Sequence, residues 1–488
     1  MKKAIFLLCV VNLLMIACEG PIDIAPESEI NEKNYYKTAD DINNAVNAAY
    51  ASLRSGGMFN SAFYRFAEMR SDNTYATWVS GSSFDLTSIY NFRLASSNSY
   101  LHDTWDDLYN SILRCNVVLD KIDGVELDAN LKNRYKGEVR FLRALDYFFL
   151  VRFFGDVPMV ATQISPTEAY EMGRTAKEQV YQQIIEDLEF AAESLPVSYS
   201  GANIGRATKG AALGILAKVY LTRQDYQNAK QKLEEVIGLG VYDLLTDYAH
   251  LWDLQHENSK ESLFEVQYKK GGTGTGSPFA NAFAPRFSGN TIVKVGGTGS
   301  VNAPTADMED AYEDGDLRKD ISMEPGYTDE EGNFVPWRYV KKYMDVPFQD
   351  GDSDNNWPVL RYADILLMYA EVLNEIEYQA DGEAFNLLNR VRNRAGLPDK
   401  TSTNSNPDLR VENQQEFRLA VEQERRVELA FENHRWFDLV RTQRALEVMN
   451  SKREELGIPD QIQEHQLLFP IPLEVMEANP NFEQNSGY

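Results

Sequence analysis

The sequence predicts a mainly α-helical fold: a tetratricopeptide-like helical-repeat scaffold that carries an irregular, loop-rich lobe and a few short strands. Three observations predict it. Apolar residues recur at the helical period of 3.6 along most of the chain. Several of the resulting helices form pairs with a shared spacing of small and large residues. Glycine-rich and aromatic segments interrupt the helical period in two regions.

The helical period runs through most of the chain, and strand patterns are few. Alternation of apolar and polar residues predicts strands at 263–268 and 337–340. The segments with helical periodicity are 103–122, 131–154, 175–194, 207–223, 226–238, 360–377, 383–395 and 413–449.

The paired helices follow the spacing of tetratricopeptide repeats, in which small residues let two helices pack closely. The turn at 224–226 separates the helices of the clearest pair. The first pair places Leu213, Leu216, Ala217 and Tyr220 against Ala229, Leu233 and Val236, and the second places Leu366, Ala370 and Leu373 against Ala384, Leu388 and Val391. Partial matches are Trp105, Leu108, Tyr109 and Ile112, and then Ile184, Leu188, Ala191 and Pro196. Because each pair needs a neighbour to cover its apolar face, these matches predict a repeat layer.

The domain organisation predicted from these patterns is a signal peptide at 1–17 and one mature domain at 18–488. Helical repeats occupy about 30–55, 101–240 and 358–450. A loop-rich ligand-binding lobe occupies mainly 56–100 and 240–358, where aromatic residues are dense. Binding on loops that a rigid scaffold positions is the usual division of labour.

The N-terminus predicts export and lipid anchoring. Lys2 and Lys3 precede an apolar run that is too short to span a bilayer, which takes roughly 20 residues, but suits a signal peptide. The run ends at Ala17-Cys18, which resembles a lipobox with Met15 where leucine is commoner. Acylation of Cys18 is the prediction, and an ordinary signal peptide cut near Ala17 is the alternative. The chain would then be membrane-attached through lipid only.

Cysteine content and charge narrow the function classes. After cleavage and acylation, Cys115 is the single free thiol, so the core must form without disulfides, and a small buried residue is the simplest interpretation of Cys115. The net charge of −26 disfavours nucleic acid as a partner. Neutral glycans and peptides are unhindered by this charge.

Ligand-binding candidates lie in the aromatic loops, because flat rings stack on the apolar faces of sugars while amides and charged groups bond the hydroxyls. The cluster at 70–78 supplies two aromatic and two polar residues. A cluster at 279–287 and a third at 337–343 add further aromatics and arginine. The predicted contacts are Asp72, Asn73, Tyr75, Trp78, Phe283, Arg286, Trp337, Tyr339 and Tyr343. For Phe283 and Phe287 a core pair is the alternative, and for Trp337 and Tyr339 one face of a buried strand.

Motifs for metals, cofactors and catalysis are absent from the sequence. Residues 350–354 (DGDSD) alternate carboxylates like a calcium loop, but Asn355 and Arg361 stand where an EF-hand needs glycine and glutamate. A solvated acidic turn is the better interpretation. No G-x-S-x-G, H-E-x-x-H or phosphate-loop motif occurs. We therefore expect no cofactor and no enzyme activity. The spacing of acidic residues along the sequence does not show whether two carboxylates lie at the distance that a glycosidase needs, so a hydrolase stays an alternative.

Short sequence blocks run along the whole chain. The blocks in the first half are DIAP at 23–26, WDDLY at 105–109, RCN at 114–116, EVRFLRAL at 138–145, FGDVP at 154–158 and GRATKGAA at 205–212. Those in the second half are NWPVLRYADILLMYAE at 356–371, NRVRNRAGLP at 389–398, ERRVEL at 424–429, RWFDLVR at 435–441 and the terminal 479–488. In their order and spacing, these blocks resemble the SusD/RagB family of nutrient-binding outer-membrane lipoproteins. Their charged residues, namely Arg361, Asp364, Glu424, Arg425, Glu428, Arg435 and Asp438, are predicted to pair within and between helices and to hold the scaffold.

The resemblance implies a lid on the cell surface, anchored in the outer membrane by lipid. Such a lid binds an oligosaccharide or polysaccharide and delivers it to a partner, a SusC-like TonB-dependent outer-membrane transporter. The same role for a peptide or another nutrient is the first alternative. An extracellular glycan hydrolase and a repeat scaffold that binds only proteins are the others.

Overall fold

The computed structural model describes residues 35–76 and 84–488, and most of its ordered elements are helices. The longer ones are α1 (Ala39–Ser52), α4 (Ser99–Lys121), α5 (Ala129–Phe154), α7 (Lys177–Ser194), α8 (Lys209–Thr222), α9 (Tyr226–Gly238), α13 (Tyr362–Ile376), α14 (Glu383–Arg394) and α15 (Gln414–Glu428). The shorter ones are α2 (Ala62–Ala67), α3 (Phe84–Tyr90), α6 (Pro166–Glu171), α10 (Phe279–Phe283), α11 (Ala306–Asp310), α12 (Lys319–Ser322), α16 (Arg435–Arg441), α17 (Ala445–Ser451) and α18 (Leu473–Ala478).

Consecutive long helices pack side by side, as the repeat spacing predicts. Helix α8 packs against both α7 and α9, and α9 in turn packs against α13, which pairs with α14. The apolar repeat positions of α8 and α9 are buried, with Leu216, Ala229 and Leu233 fully inaccessible to solvent. Between these helices Gln224 adopts a left-handed conformation and Asp225 caps α9 by accepting from the Asn228 amide. The mainly α fold with a helical-repeat layer is confirmed.

One predicted helix is interrupted. The segment 413–449 forms α15, α16 and α17, because Phe431 and Asn433 adopt left-handed backbone conformations after α15 ends. Periodicity did not reveal this break, since its apolar residues remain in register with the core. Leu429, Ala430 and Phe431 are all buried.

The strands are short and pair in twos. The longest pair joins β2 (Ser262–Val266) to β8 (Trp357–Arg361), antiparallel, so the strand predicted at 263–268 is present. Strand β8 packs on α8 at Gly214. A Cβ atom at this position would lie 2.5 Å from a methyl carbon of Leu360, so the close packing requires glycine. The remaining strands are β1 (Thr74–Tyr75), β3 (Ala303–Pro304), β4 (Met323–Glu324), β5 (Tyr327–Thr328), β6 (Phe334–Val335) and β7 (Tyr339–Val340), which pair as β1–β3, β4–β7 and β5–β6.

Buried ion pairs join the second-half helices to the lobe. Arg361 at the end of β8 donates to Glu432 at 2.6 Å, to Glu261 at 2.9 Å and to Glu428 at 3.0 Å. From the lobe, Arg318 donates to Glu428 at 3.0 Å and to Glu424 at 2.6 Å. The charged residues of the family-like blocks therefore hold the scaffold, as predicted, although they pair across elements far apart in sequence.

The central carboxylate of this network stays ionised. Burial alone would raise the pKa of Glu428, but the guanidinium groups of Arg394, Arg361 and Arg318 lower it to about 2. A second centre lies nearby, where Arg425 bridges Asp364 at 2.7 Å and Asp438 at 2.9 Å. Each charge in these two centres has a partner of opposite sign, which is the condition for tolerating it in a low-dielectric interior.

Candidate functional site

The three clusters predicted from the sequence meet around residues 300–304. Strand β3 pairs with β1 on one side, so that Tyr75 lies opposite Ala303, and it contacts β7 on the other. The turn after α10 joins the same place, because the amide of Arg286 donates to the Ser300 hydroxyl at 3.0 Å. The hydroxyl of Thr74 bonds the Asn302 side chain at 2.7 Å. The fold thus brings together segments separated by more than two hundred residues in the chain.

The exposed part of this region is aromatic. The ring of Phe287 is 72% exposed, an unusual exposure for a phenylalanine, and its backbone is left-handed with φ of 72°. The half-buried ring of Trp337 stands edge-on to it, with centroids 6.4 Å apart. The guanidinium of Arg286 lies 5.5 Å from the Phe287 centroid. These three side chains form what we call the aromatic ledge.

A polar group completes the ledge. The indole nitrogen of Trp337 is shielded from solvent and has no hydrogen-bond acceptor within the described part of the chain. Beside it, Arg338 is held by an ion pair with Glu309. A flat ring surface with guanidinium groups at its side can stack on a sugar ring and donate to its hydroxyls. Phe287 was grouped with Phe283 from sequence, but only its position in the turn shows that it points outward.

Asp72 and Asn73, predicted as ligand contacts, lie in the interior with no solvent-accessible surface. The Asp72 carboxylate accepts from Arg435 at 2.7 and 2.9 Å. Burial opposes ionisation of Asp72, but Arg435 and Arg426 hold its pKa well below the ordinary range. Asn73 donates to Glu68 at 3.1 Å and accepts from Arg426 at 2.9 Å. Because these groups are fully used in joining the early loop to the second-half helices, we do not carry them forward as ligand contacts.

Phe283, Tyr339 and Tyr343 are also buried. For Phe283 and Tyr339 the alternative interpretation, a core pair and a buried strand face, fits this burial better, and Tyr343 is a core residue as well. Tyr343 stacks on Trp357 with centroids 4.8 Å apart, and its hydroxyl donates to the Phe431 carbonyl at 3.0 Å. Phe283 packs edge-on against Tyr64 at 5.0 Å. Tyr339 lies in β7, and burial raises its pKa to about 12. The sequence could not separate these rings from exposed ones, because both kinds sit in aromatic-rich segments.

Other predicted residues have different outcomes. Tyr75 is half-buried at the end of β1, next to the segment that contains Trp78. Trp78 and Cys18 lie outside the described residues. Cys115 is buried and unpaired, as expected of a small core residue.

The acidic turn at 350–354 uses its carboxylates locally. Asp352 accepts from the backbone amides of Gly271 and Gly272 at 3.2 and 2.7 Å, and Asp354 accepts from the Lys270 amide at 2.9 Å. Within residues 35–76 and 84–488, no group of three or more His, Cys, Asp or Glu side chains is placed to hold a metal ion. These contacts make the turn a tether between two loops of the lobe.

Comparison with known proteins settles the family. A family model described as "SusD family" matches residues 322–488, and one described as "Starch-binding associating with outer membrane" matches residues 22–221. The chain belongs to the SusD family. SusD-like protein P2 of Formosa agariphila is 29% identical over 522 aligned positions that cover all of both chains. The resemblance stated from the sequence blocks is confirmed.

Solved structures agree in fold over nearly the whole chain. A laminarin-binding SusD-like protein superposes with a TM-score of 0.79 at 28% identity, covering 93% of this chain and all of that one. A SusD superfamily protein from Parabacteroides distasonis gives 0.80 at 28% identity, covering 94% of this chain and all of that one. Among the described residues, none of the helices has both the length and the apolar character to cross a membrane.

Proposed function

We propose that this SusD-family protein binds an oligosaccharide or polysaccharide at the cell surface without cleaving it. The observation that carries the proposal is the full-length similarity to a laminarin-binding SusD-like protein, together with an exposed aromatic ledge on the loop lobe. Laminarin is a neutral glucan, so the similarity favours a neutral glycan over a peptide. The family model for the first half, with its starch-binding description, supports the same ligand class.

The ledge is suited to stacking and not to deep enclosure. The ring of Phe287 is mostly exposed, while that of Trp337 is half-buried. One stacked sugar ring on such a surface contributes about 1 kcal/mol beyond its buried area. Affinity near micromolar is therefore expected, with most of the gross interaction offset by lost freedom and hydration. Tyr75, Trp78, Arg286, Phe287 and Trp337 are the residues we propose as ligand contacts.

Net charge supports the choice of a neutral ligand. The chain carries 74 acidic and 48 basic residues, so a polyanionic glycan would meet a repulsive field. Arg286 and Arg338 give the ledge two cations, but Arg338 is already paired with Glu309. Hydroxyl groups, which accept from guanidinium without bringing charge, fit this surface better than sulfates or carboxylates.

We further propose that Cys18 is acylated, that the protein faces outward from the outer membrane, and that it passes its glycan to a SusC-like TonB-dependent transporter. The lipobox-like sequence before Cys18 and the outer-membrane description of the first-half family model support this arrangement. The helical layer offers a rigid surface for the transporter, while the lobe carries the ligand. Opening of the lid would then move the bound glycan toward the barrel.

The ligand proposal is tested with the Cys18→Ala chain, which lacks the acylation site. Isothermal titration against laminarin, starch, a sulfated glycan and a peptide digest should show binding to a neutral glycan at micromolar concentration. Incubation with the bound glycan should release no reducing ends. Binding only to peptides would contradict the ligand class, and release of reducing ends would contradict the absence of catalysis.

The anchoring and partner proposals need the native chain in its own cells. Acylated protein should fractionate with the outer membrane, be accessible to surface protease and co-purify with a TonB-dependent transporter. The Cys18→Ala chain should lose membrane fractionation and keep glycan affinity. Recovery of the native protein from the cytoplasm would overturn both proposals.

A further inference from the structure

A small cavity lies away from the aromatic ledge, where α5, α8 and the segment between α15 and α16 meet. Its volume is about 30 Å³, room for one water molecule or one monatomic ion. Apolar side chains form most of the wall. The polar part comes from Arg152 on α5, Lys218 on α8, and Asn433 and His434 between α15 and α16.

Arg152 brings an unpaired positive charge to this cavity. Its guanidinium carbon lies 3.7 Å from the ring centroids of both Phe148 and Phe437, and its Nε donates to the Phe148 carbonyl at 2.9 Å. In the described part of the chain, no carboxylate lies within 4.0 Å of it. Loss of hydration lowers the pKa of Arg152 to about 9, which leaves the group charged at neutral pH. The two rings attract the cation but do not neutralise it.

Asn433 supplies an unused amide. The side chain is only 7% exposed, and neither its nitrogen nor its oxygen has a hydrogen-bond partner in the described chain. A buried polar group without a partner costs about 1–3 kcal/mol, so such groups usually face a bound water or ion.

His434 supplies a further donor. Lys218 donates to its Nδ1 at 3.0 Å, and burial together with that cation lowers the pKa of His434 to about 3. The imidazole is therefore neutral, and because Nδ1 accepts, the hydrogen must lie on Nε2. This Nε2 hydrogen has no acceptor among the described residues.

Two carboxylates near the cavity, Glu432 and Asp364, are paired with cations, while a third, Glu68, accepts from the backbone amide of Asn433 at 2.8 Å and burial raises its pKa to about 7. Glu432 lines the wall, but its oxygens accept from Arg361 at 2.6 and 3.0 Å and from Lys342 at 2.7 Å. Asp364 accepts from Lys218 and Arg425 at 2.6 and 2.7 Å. Among the described side chains that line the cavity, Arg152 is the cation without a carboxylate partner.

We infer that the cavity binds a chloride ion, held by the guanidinium of Arg152, the amide nitrogen of Asn433 and the Nε2 hydrogen of His434. A halide accepts from three donors and places a negative charge beside the half-buried Arg152, whereas a water molecule brings no charge. The ion would join α5 of the first half to the segment after α15, and thereby stabilise the fold independently of glycan binding.

Thermal unfolding of the Cys18→Ala chain tests the inference. At equal ionic strength, sodium chloride should raise Tm by about 1–2 °C over sodium gluconate, since a ligand of the folded state adds stability by mass action. Arg152→Gln should lose most of this increment. Arg65→Gln is the matched control: Arg65 also rests on tyrosine rings, 4.9 Å from Tyr64 and 4.6 Å from Tyr100, but does not line the cavity. The Arg65→Gln variant should keep the full rise of Tm in chloride, which would distinguish binding at the cavity from a general effect of salt.

Bromide makes the test independent of any variant. Crystals of the Cys18→Ala chain grown in sodium bromide should show an anomalous peak between Arg152, Asn433 and His434. Equal Tm values in chloride and gluconate would overturn the inference. A water molecule in the cavity of the bromide-grown crystals, with no anomalous peak, would also overturn it. So would an equal rise of Tm in chloride for the Arg152→Gln and Arg65→Gln variants.

Discussion

The helical layer and the loop lobe both contain many aromatic residues, but the layer buries their rings and the lobe exposes several of them. In the helical layer, rings and charges are turned inward: Trp436 is 1% exposed, and Arg392 forms ion pairs at 1% exposure. In the lobe, rings such as Phe287, Phe334 and Phe348 are more than 60% exposed. Long helices bury a continuous face, whereas two-residue strands cannot, so the lobe leaves aromatic surface exposed.

The two regions also differ in what holds them together. The layer depends on side-chain packing and on buried ion pairs such as Arg425 with Asp364. The lobe depends more on side chains that bond backbone groups, as Asn281 does with the Val295 and Gly297 carbonyls at 2.9 and 2.8 Å. Changes in the layer should therefore alter stability, while changes at the exposed rings of the lobe should alter binding.

The largest effect is expected from Arg361→Met. It leaves Glu261, Glu428 and Glu432 short of a cation in the interior, and breaking such a buried pair costs about 3–5 kcal/mol of unfolding free energy. Denaturant unfolding measures the change. In Arg390→Met the lost partner, Asp243, is half exposed, so the cost should stay below about 1 kcal/mol. Equal losses would show that the buried network does not support the layer.

A smaller effect on stability is expected from Asp146→Asn in α5. Asp146 is buried without a cation partner, and burial raises its pKa well above the ordinary value. The contribution of protonated Asp146 to folding stability is complete below the pKa of about 3.9 that the residue has in the unfolded chain. It is lost as the pH rises toward the pKa of Asp146 in the folded chain. Tm should therefore fall from pH 4 to pH 8 less steeply in Asp146→Asn than in the unchanged chain. Glu454→Gln, at a side chain 92% exposed, should leave the slope unchanged; a shift of similar size there would argue against a buried cause.

For the lobe, Phe287→Ala should weaken glycan binding about tenfold, equivalent to about 1.4 kcal/mol, because a stacking face is lost. Tm should change by less than the error, since the ring is mostly in solvent. Phe348→Ala removes a ring with 61% exposure from another part of the lobe and should keep full affinity. Isothermal titration of both variants with the same glycan shows whether affinity depends on the aromatic ledge or on any exposed ring of the lobe.

The smallest effect is expected from Trp78→Ala. The residue follows Tyr75 closely in sequence, and we expect a few-fold loss of glycan affinity with an unchanged denaturation midpoint. Titration with the same glycan measures it. Unchanged affinity would remove Trp78 from the proposed site and leave the ledge to act alone.

Sequence patterns predicted the helices well and the site only in part. The repeat positions of α8 and α9, such as Leu216 and Leu233, could be assigned because a buried helical face repeats with a fixed period. The break at Phe431 and Asn433 could not, since two left-handed residues leave no periodic trace. Among the predicted ligand contacts, Asp72 and Tyr343 proved to be interior residues, because polarity and aromaticity do not encode depth.

The sequence by itself determined the family, the repeat layer and the structural role of the charged blocks, because these depend on local spacing and on block order. Only the tertiary structure decided which rings are exposed, which distant carboxylates Arg361 and Arg318 contact, and that Arg152 lacks an anionic partner. The physical reason is that exposure and charge compensation are set by contacts between residues far apart in the chain. Such contacts leave no pattern in any single segment.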